Sequence, residues 1–383
     1  MALTLSSKIP NVEGVKRTMQ ATVTLDSSYA YGGESLLPGD LGLQKIERLE
    51  ILPVSGYSFE YDHTNKKLKV YSDANIQPFV YEEQHTITAD DNIVLNYPAA
   101  AILCIASDSQ SQILIEPSDT PTTNECNLAA AMAEGVCPTI NFHSGTTGIV
   151  KVTYITQAWA EVWDNRVSSG DFTTASHVAD LSDTICFIES CVALDTSGAV
   201  VNSRNLFTRG GDSPATGECE VDWSDSGTTP AGDTTLTFVS TDAVTDIKLT
   251  YIKLPASGFL FERFTEDEDV TIGGEEGASK YPILFPALCN QCPDYTGAGE
   301  HAPHSLQMPE GDALGTSLEF RIDWHLLSTL AGTRIFVEDS SSDAVSLSYV
   351  YGTVSEIPVK ARMEVPSGTD LSALEIIING VGR

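Results

Sequence analysis

Four side chains near residue 300 have the types and spacing that could bind a metal ion. The segment reads Cys289-Asn-Gln-Cys292-Pro-Asp-Tyr-Thr-Gly-Ala-Gly-Glu-His301-Ala-Pro-His304. Two cysteines and two histidines are a donor set for tetrahedral structural zinc. The spacing is shorter than in a common zinc finger, and one Cys-x2-Cys alone is weak evidence. Independent loop residues or a Cys289–Cys292 disulfide therefore stay open as alternatives, and no other cofactor is predicted.

An acidic run precedes this segment. Residues 266–269 (Glu-Asp-Glu-Asp) and 275–276 (Glu-Glu) flank a Gly-Gly pair. Calcium prefers several oxygen ligands, which such a run can supply, but the spacing does not match an EF-hand loop. A solvated acidic face is the simpler interpretation.

No segment carries a recognisable catalytic motif. The sequence has no Gly-x-Ser-x-Gly, no phosphate-binding glycine loop and no His-Glu-x-x-His. Trp159 and Trp163 could stack on a sugar or cap a subunit contact, but packing in a core or an interface explains them better. We therefore predict that the protein is not an enzyme, and we assign no catalytic residue.

The eight cysteines are too sparse in 383 residues to indicate a disulfide framework. Cys104 and Cys186 lie in apolar strand-like runs and are predicted to be buried thiols. Cys126 with Cys137, or Cys186 with Cys191, could close small loops in an oxidising medium.

The elements that must position these residues recur along the chain. Three segments read alike: Val-Lys-Val-Thr-Tyr-Ile from 150, Ile-Lys-Leu-Thr-Tyr-Ile from 247 and Val-Ser-Leu-Ser-Tyr-Val from 345. A phenylalanine precedes each tyrosine by 12 or 13 positions, giving the pairs Phe142 and Tyr154, Phe238 and Tyr251, and Phe336 and Tyr349. The tyrosines are 97 and 98 positions apart, and Phe59 with Tyr71 forms a weaker fourth pair. Three concordant copies indicate a true internal repeat.

Each repeated segment alternates apolar and polar residues, which is the period of a half-buried β-strand. Turn residues lie between the Phe and the Tyr, so each copy is predicted to end in an antiparallel hairpin with both rings on the core face. Helical signals are few: about two turns over 127–134, and a short helix capped by Asp370. The predicted fold is all-β, with tandem β-sandwich or jelly-roll-like modules and few short helices.

The predicted modules end where the repeated strands end. They span residues 1–88, 89–168, 169–262 and 263–383, and the last carries a C-terminal strand extension. The segment Met1–Gly14 is predicted either as an extended arm that lies along a neighbouring protein or as a frayed terminus.

Charge divides the chain unevenly. Of the 53 acidic and 21 basic side chains, residues 1–70 carry eight of each, so the entire net charge of −32 lies beyond residue 70. Nucleic acid and anionic membranes are therefore poor partners, because both are bound through clustered Lys and Arg. A neutral first module with a basic pair at Lys16-Arg17 suits docking onto another protein, and the acidic remainder suits exposure to solvent. Acidity that serves solubility alone is the alternative.

Two parts of the chain resemble structural proteins of tailed-bacteriophage virions. The first is Thr24-Leu-Asp-Ser-Ser-Tyr-Ala-Tyr-Gly-Gly-Glu-Ser-Leu, followed by Leu41-Gly-Leu, Gly56-Tyr-Ser-Phe-Glu-Tyr-Asp and Leu68-Lys-Val-Tyr. The second covers 217–252, with Gly-Glu-Cys-Glu-Val-Asp-Trp at its start and Leu-Thr-Tyr-Ile near its end. The resemblance covers about a quarter of the chain, and its motifs are structural.

The resemblance implies a non-enzymatic head decoration (cement) protein, made in the host cytoplasm and bound to the outer capsid surface of the virion. Its expected partners are the major capsid protein, met by the first module, and further copies of itself in a homo-oligomer. Two other hypotheses stay open: a receptor-binding or glycan-binding fibre or spike protein, and a tail-associated polysaccharide depolymerase.

Overall fold

The computed structural model is all-β, as predicted. It describes residues 3–13, 16–72, 78–88, 92–107, 110–111, 113–115, 120–123, 125–169, 172, 177–181, 183, 185–202, 206–209, 214, 216, 218–222, 234–253, 263–268, 276–278, 283–291, 303–304, 306–308, 319–323, 334–337, 345–351 and 359–383.

The strands fall into five groups along the chain. The first six are β1 (Thr4–Glu13), β2 (Lys16–Thr24), β3 (Glu34–Ser35), β4 (Ile46–Ile51), β5 (Tyr57–Asp62) and β6 (Lys67–Ser72). The next eight are β7 (Phe79–Ile87), β8 (Asn92–Val94), β9 (Ala99–Ser107), β10 (Gln110–Ser111), β11 (Ile113–Ile115), β12 (Glu125–Leu128), β13 (Thr139–Phe142) and β14 (Gly148–Thr156), followed by helix α1 (Ala160–Asp164). Then come β15 (Arg166–Ser169), β16 (Val178–Asp180), β17 (Ile185–Leu194), β18 (Val200–Asn202), β19 (Leu206–Arg209), β20 (Glu218–Asp222), β21 (Thr235–Phe238) and β22 (Asp246–Lys253). The fourth group is β23 (Arg263–Glu268), β24 (Glu276–Ala278), β25 (Ile283–Gln291), β26 (Pro303–His304), β27 (Leu306–Met308), β28 (Glu319–Asp323), β29 (Arg334–Val337) and β30 (Val345–Tyr351), and the last is β31 (Met363–Glu364) and β32 (Glu375–Gly382).

The N-terminal and C-terminal segments together build one module, which we call the base (residues 3–72 and 359–383). Its first sheet, sheet A, has the strand order β1-β2-β32-β4, so the last strand of the chain lies between two of the first. In the second sheet, sheet B, β6 pairs with β3, β5 and β31. The predicted C-terminal extension of the fourth module therefore pairs with the first module instead.

Both sheets of the base contribute to one hydrophobic core. Sheet A supplies Ala21, Val23, Ile376 and Ile378, among others, and sheet B supplies Leu68 and Val70. Along β32 the burial alternates residue by residue, because successive side chains of a strand point to opposite faces. Formation of this core requires residues from both ends of the chain.

The 24 strands from β7 to β30 form three units with one topology: unit I (β7–β14), unit II (β15–β22) and unit III (β23–β30). In each unit the first, eighth, third and fourth strands form one sheet in that order from the edge, and the second, seventh, sixth and fifth strands form another. The fifth and sixth strands are parallel in every unit. The internal repeat predicted from the sequence is therefore present in the fold.

The three units also share their irregularities. Where the third strand pairs with the eighth, the register shifts twice in every unit, once beside the repeated tyrosine and once nearer the start of the third strand. The bulged residues are Leu103 and Ala100 in unit I, Glu189 and Cys186 in unit II, and Ala287 and Leu284 in unit III. Bulges are specific local features, so their coincidence supports a common fold.

The predicted hairpin between the repeated Phe and Tyr is wrong. In unit I, Phe142 lies in β13, which pairs with β8 and β12, while Tyr154 lies in β14, which pairs with β7 and β9. Both rings are nevertheless buried in the core that the two sheets share, as are Phe238 and Tyr251 in unit II. The core-facing prediction is thus confirmed for these two units. Alternation sets the face of a residue but does not identify the partner strand.

The other copies of the Phe–Tyr pair differ. Phe59 and Tyr71 do lie on paired antiparallel strands, β5 and β6. In unit III, Phe320 pairs with Val337 rather than with Phe336. This register is shifted by one residue from that of the equivalent pairs Cys126–Phe142 and Cys219–Phe238.

The strand content shows the all-β class, whereas the sandwich or jelly-roll arrangement stays a prediction.

Among the described residues α1 is the only α-helix. The helix predicted over 127–134 is absent, because Asn127 and Leu128 belong to the buried strand β12. Asp370 caps a turn rather than a helix, and its Oδ1 accepts hydrogen bonds from the N–H and hydroxyl of Ser372 at 2.9 and 2.6 Å. Trp159, just before α1, is fully buried, in agreement with the packing interpretation of this residue.

The predicted limits 88, 168 and 262 stay predictions as domain boundaries. Strand pairing nevertheless crosses the limit at residue 88, because β7, which ends at Ile87, pairs with β14 beyond that limit. Unit I therefore begins at Phe79, ahead of that limit.

Candidate docking surface on the base

The base carries no net charge. Its residues 3–72 and 359–383 include eleven basic and eleven acidic side chains, so the whole formal charge of −32 lies in residues 73–358. We call this acidic part the body; units I to III are its folded elements. The neutrality predicted for the first 70 residues thus extends to the C-terminal strands that complete the same module.

The basic pair Lys16-Arg17 lies at the end of the β1–β2 hairpin, where Lys16 pairs with Glu13 in the strand register. The Nζ of Lys16 is 3.2 Å from Oε2 of Glu47, and the Nε of Arg383 is 3.1 Å from the other carboxylate oxygen. The hydrogen bond from Lys16 holds the pKa of Glu47 below its ordinary value. Of the predicted basic pair, Lys16 is thus paired with an acidic neighbour from β4, which also pairs with Arg383.

The outer face of sheet A is a weakly charged surface of the base that the strand register defines. We define it by the outward residues of β1, β2, β32 and β4, which are Thr4, Ser6, Ile9, Asn11, Lys16, Thr18, Gln20, Thr22, Thr24, Glu375, Ile377, Asn379, Val381, Arg48 and Glu50. The inward neighbours Ala21, Val23, Ile376 and Ile378 are buried. Antiparallel sheets commonly pack one face on a core and leave the other open.

Few formal charges lie on this face. Arg48 and Glu50 form an ion pair with each other, and Lys16 at one end pairs with Glu47, which leaves Glu375 at the other end as the uncompensated charge. Most of the remaining residues are Thr, Ser, Asn and Gln. Two isoleucines are well exposed, Ile9 at 60% and Ile377 at 57%. Leu52, 76% exposed, directly follows Ile51, the register partner of Ile378.

One of the two edge strands of this face is β1, and the other is β4. The residues predicted as an extended arm or a frayed terminus, from Thr4 to Glu13, are instead paired with β2 along their length. A register shift between Ser6 and Ile9 bulges the strand, and Ser7 there has a left-handed φ of 49°. The strand also contains Lys8 and Pro10. A bulge, a lysine and a proline are the devices by which edge strands avoid accepting another strand.

A joint connects the base to unit I. The hydroxyl of Tyr31 donates to Oε1 of Glu134 at 2.9 Å, and the N–H of Ser367 donates to the carbonyl of Gly135 at 2.7 Å. The N–H of Gly135 in turn donates to Oε1 of the buried Gln157 at 2.8 Å. A Cβ on Gly135 would lie 1.8 Å from the ring of Tyr31, so a side chain at this position would have to displace that ring. The base is thus tied to the body through side chain and backbone.

A buried ion pair lies within unit II, whose strand β17 packs against β9 of unit I. Nε and Nη2 of Arg166 donate to Oε2 of Glu189 at 3.1 and 2.5 Å, and the guanidinium lies 5.6 Å from the ring centre of Trp163. Burial raises the pKa of Glu189, and the charge of Arg166 opposes that shift.

A buried carboxylate in unit I has a structural role. Glu83 accepts hydrogen bonds from the hydroxyl of Tyr154 at 2.6 Å and the N–H of Asn96 at 2.9 Å, and it contacts Nε2 of His85 at 2.7 Å. Burial and the bond to Glu83 raise the pKa of Tyr154. Each contact satisfies a polar group inside the fold.

The predicted zinc ligands are described only in part. Cys289 and His304 are direct register partners on β25 and β26, which places two of the four residues across from each other. Cys292 and His301 lie outside the described residues. Within the described part of the chain no group of three or more His, Cys, Asp or Glu residues is arranged to hold a metal ion.

The predicted acidic run is also described only in part. Residues 266–268 of the acidic run belong to β23 and Glu276 belongs to β24, whereas 269 and 275 lie outside the described residues. Cys104 and Cys126 are buried, Cys137 is partly buried, and none of the three is in a disulfide. The disulfide considered between Cys126 and Cys137 is therefore not formed. Burial raises the pKa of Cys137 to about 11.

The exposed isoleucines were not identified from the sequence. In the segment Glu375-Ile-Ile-Ile-Asn379 the three isoleucines read as a uniform apolar run, yet only the middle one, Ile377, is exposed. Successive side chains of a strand point to opposite faces, so three consecutive isoleucines in one strand cannot all face the core. This alternation is the signal that could have identified Ile377.

Comparisons with known proteins gave no match: no family model, no curated protein and no solved structure is similar to the chain. Among the described residues no helix is long and apolar enough to cross a membrane.

Proposed function

We propose that the protein is a non-enzymatic decoration, or cement, protein of a tailed bacteriophage, which binds the outer face of the assembled head through its base and stabilises it. One observation carries the proposal: a neutral base, formed by both ends of the chain, holds an acidic body of tandem units. The resemblance of 15–75 and 217–252 to phage virion proteins supports the same assignment.

The charge distribution suits this role. A body with a net charge of −32 is repelled by other acidic surfaces and stays in solvent. The base has no such barrier to contact with another protein. Many copies on one shell also let individually weak contacts act together, since sites on a symmetric particle hold neighbouring copies at high effective concentration.

The test uses heads of the phage that encodes the protein, assembled without it. The purified full chain is mixed with these heads, and binding is measured by co-sedimentation and by the temperature at which the heads release their DNA. Saturable binding in a fixed ratio to the capsid protein, with a higher release temperature, is the expected result. Binding to tails alone would contradict the proposal.

A second candidate is glycan binding by a fibre or spike protein, favoured by exposed aromatic rings on unit I. Tyr81 and Tyr97 are 38% and 40% exposed, and the ring of Tyr81 lies 4.9 Å from that of Phe79. Exposed aromatic faces can stack on sugars. Binding of host surface glycans that the double variant Tyr81→Ala, Tyr97→Ala loses would favour this candidate.

A further inference from the structure

We propose that the outer face of sheet A is the surface that meets the capsid, and that it docks face-on rather than by pairing of its edge strand. The inference rests on the proposed function and adds to it the contact residues and the kind of surface they fit. Ile9 and Ile377 are the predicted centres of the contact.

Exposed apolar side chains point to this face. Ile9 and Ile377 lie on adjacent rows of it, since Ile9 is the register partner of Gln20 and Ile377 of Thr22. Leu52 extends the apolar surface at the end of β4. Apolar residues surrounded by uncharged polar ones are the composition typical of the centre of a protein interface, where charged residues are depleted.

Charge decides the occupant. The face carries one uncompensated carboxylate, so its complement is a weakly charged protein surface, and an anionic membrane or nucleic acid offers no matching group. A second copy of the chain is disfavoured as the occupant, because it would bring two bodies of −32 each onto one small interface. A subunit of an assembled capsid meets the requirement and leaves the body in solvent.

The β1 edge of the sheet is a poorer docking element than the face of the sheet. Strand addition needs a regular row of free N–H and C=O groups. In β1 that row is interrupted by the bulge at Ser7 and by Pro10, which has no N–H. The face does not depend on this row.

The experiment compares three full-length variants for binding to heads assembled without the protein. Ile9→Glu and Ile377→Glu each place a carboxylate in the proposed contact and should weaken binding at least about tenfold, as substitutions at interface centres do. Ile149→Glu is the matched control: it alters an isoleucine that is 45% exposed on a strand of unit I. It should bind like the wild type.

The outcomes separate the inference from the proposed function. Equal binding by wild type, Ile9→Glu and Ile377→Glu would overturn the docking face and leave the decoration role intact. No binding of the wild type to any head would overturn both. Self-association of the wild type in sedimentation equilibrium, lost in Ile377→Glu, would assign the face to a second copy and also contradict the inference. Unchanged thermal unfolding of both variants shows that a binding loss is not a folding loss.

Discussion

The hydroxyl of Tyr29 donates a 2.6 Å hydrogen bond to Oε1 of Glu364, a residue 335 positions later in the chain. The same hydroxyl accepts a bond from the N–H of Val70 at 3.1 Å, and the carboxylate oxygen also accepts the N–H of Gly32 at 2.6 Å. Burial and the bond to Glu364 raise the pKa of Tyr29. One tyrosine thus connects the N-terminal strands of the base to its C-terminal segment.

Replacing this tyrosine should destabilise the base. Tyr29→Phe removes a hydrogen bond to a charged group in a site that is 1% exposed, and it leaves the N–H of Val70 without this acceptor. We expect the free energy of unfolding of the base to fall by about 1.5–3 kcal/mol. Denaturant unfolding gives the value. Tyr57→Phe, on a tyrosine packed against the same core, is the control, and an equal loss in both variants would contradict the role of the Glu364 contact.

The base should fold without the body. Replacing residues 73–358 by a flexible linker of about ten residues keeps every strand of sheets A and B, and we expect a cooperatively unfolding β protein. A chain of residues 1–72 alone lacks β32, which pairs with both β2 and β4, and should not form the sheet. Circular dichroism and amide dispersion in NMR spectra distinguish the linked base from this fragment. A folded fragment of residues 1–72 would contradict the pairing.

A glycine controls the joint between the base and unit I. In Gly135→Ala the new methyl group meets the ring of Tyr31, and the φ of +69° adds backbone strain. We expect faster proteolysis between the base and unit I and a lower unfolding temperature.

The control for this change is Gly198→Ala, because Gly198 has a φ of +79° and open space around its Cβ position. It carries the strain without the clash, so the difference between the variants measures the clash. Tyr31→Ala should restore part of the loss in the Gly135→Ala background. Equal behaviour of both glycine variants would show that Tyr31 does not make this contact.

Loss of Arg166 should have a pH-dependent cost. Arg166→Gln leaves Glu189 buried and unpaired, with side-chain exposures in the wild type of 13% and 3%, and should destabilise by about 3–5 kcal/mol at pH 7. Since burial raises the pKa of Glu189 and Arg166 lowers it, the pKa in the variant lies higher still. An acid with a raised folded-state pKa loses stability as the pH rises through that value, so the deficit grows toward pH 7 and shrinks toward pH 4.5.

Denaturant unfolding at several pH values tests this prediction. The control is Arg48→Gln, whose ion pair with Glu50 is exposed at 71% and 54%, and it should cost less than about 1 kcal/mol. A pH-independent deficit in Arg166→Gln would contradict the burial of an unpaired carboxylate.

Elemental analysis decides between the interpretations of the Cys-His segment. A zinc site formed by Cys289, Cys292, His301 and His304 requires about one zinc ion per chain in protein purified without added metal. Cys289→Ser and His304→Ala, on register partners, should each abolish it. Zinc-free protein with a mass lowered by two hydrogens would assign a Cys289–Cys292 disulfide instead.

Local patterns in the sequence were sufficient for the strand class, the repeat and the burial of its rings. The alternation around Tyr154 and Tyr251 predicts a strand with the ring inward, because the two-residue period of a strand is a local property of the backbone. The neutrality of the first 70 residues is likewise a matter of composition. These features depend on neighbouring residues alone.

The tertiary structure decided which strands meet. Phe142 and Tyr154, predicted as a hairpin, lie in different sheets, and β32 joins β2 across more than 350 residues. Pairing of distant strands is governed by the packing of a shared core, here between Ile378 and Ala21, and no local period encodes it. For the same reason the exposed face around Ile9 and Ile377 exists only once both ends of the chain have folded together.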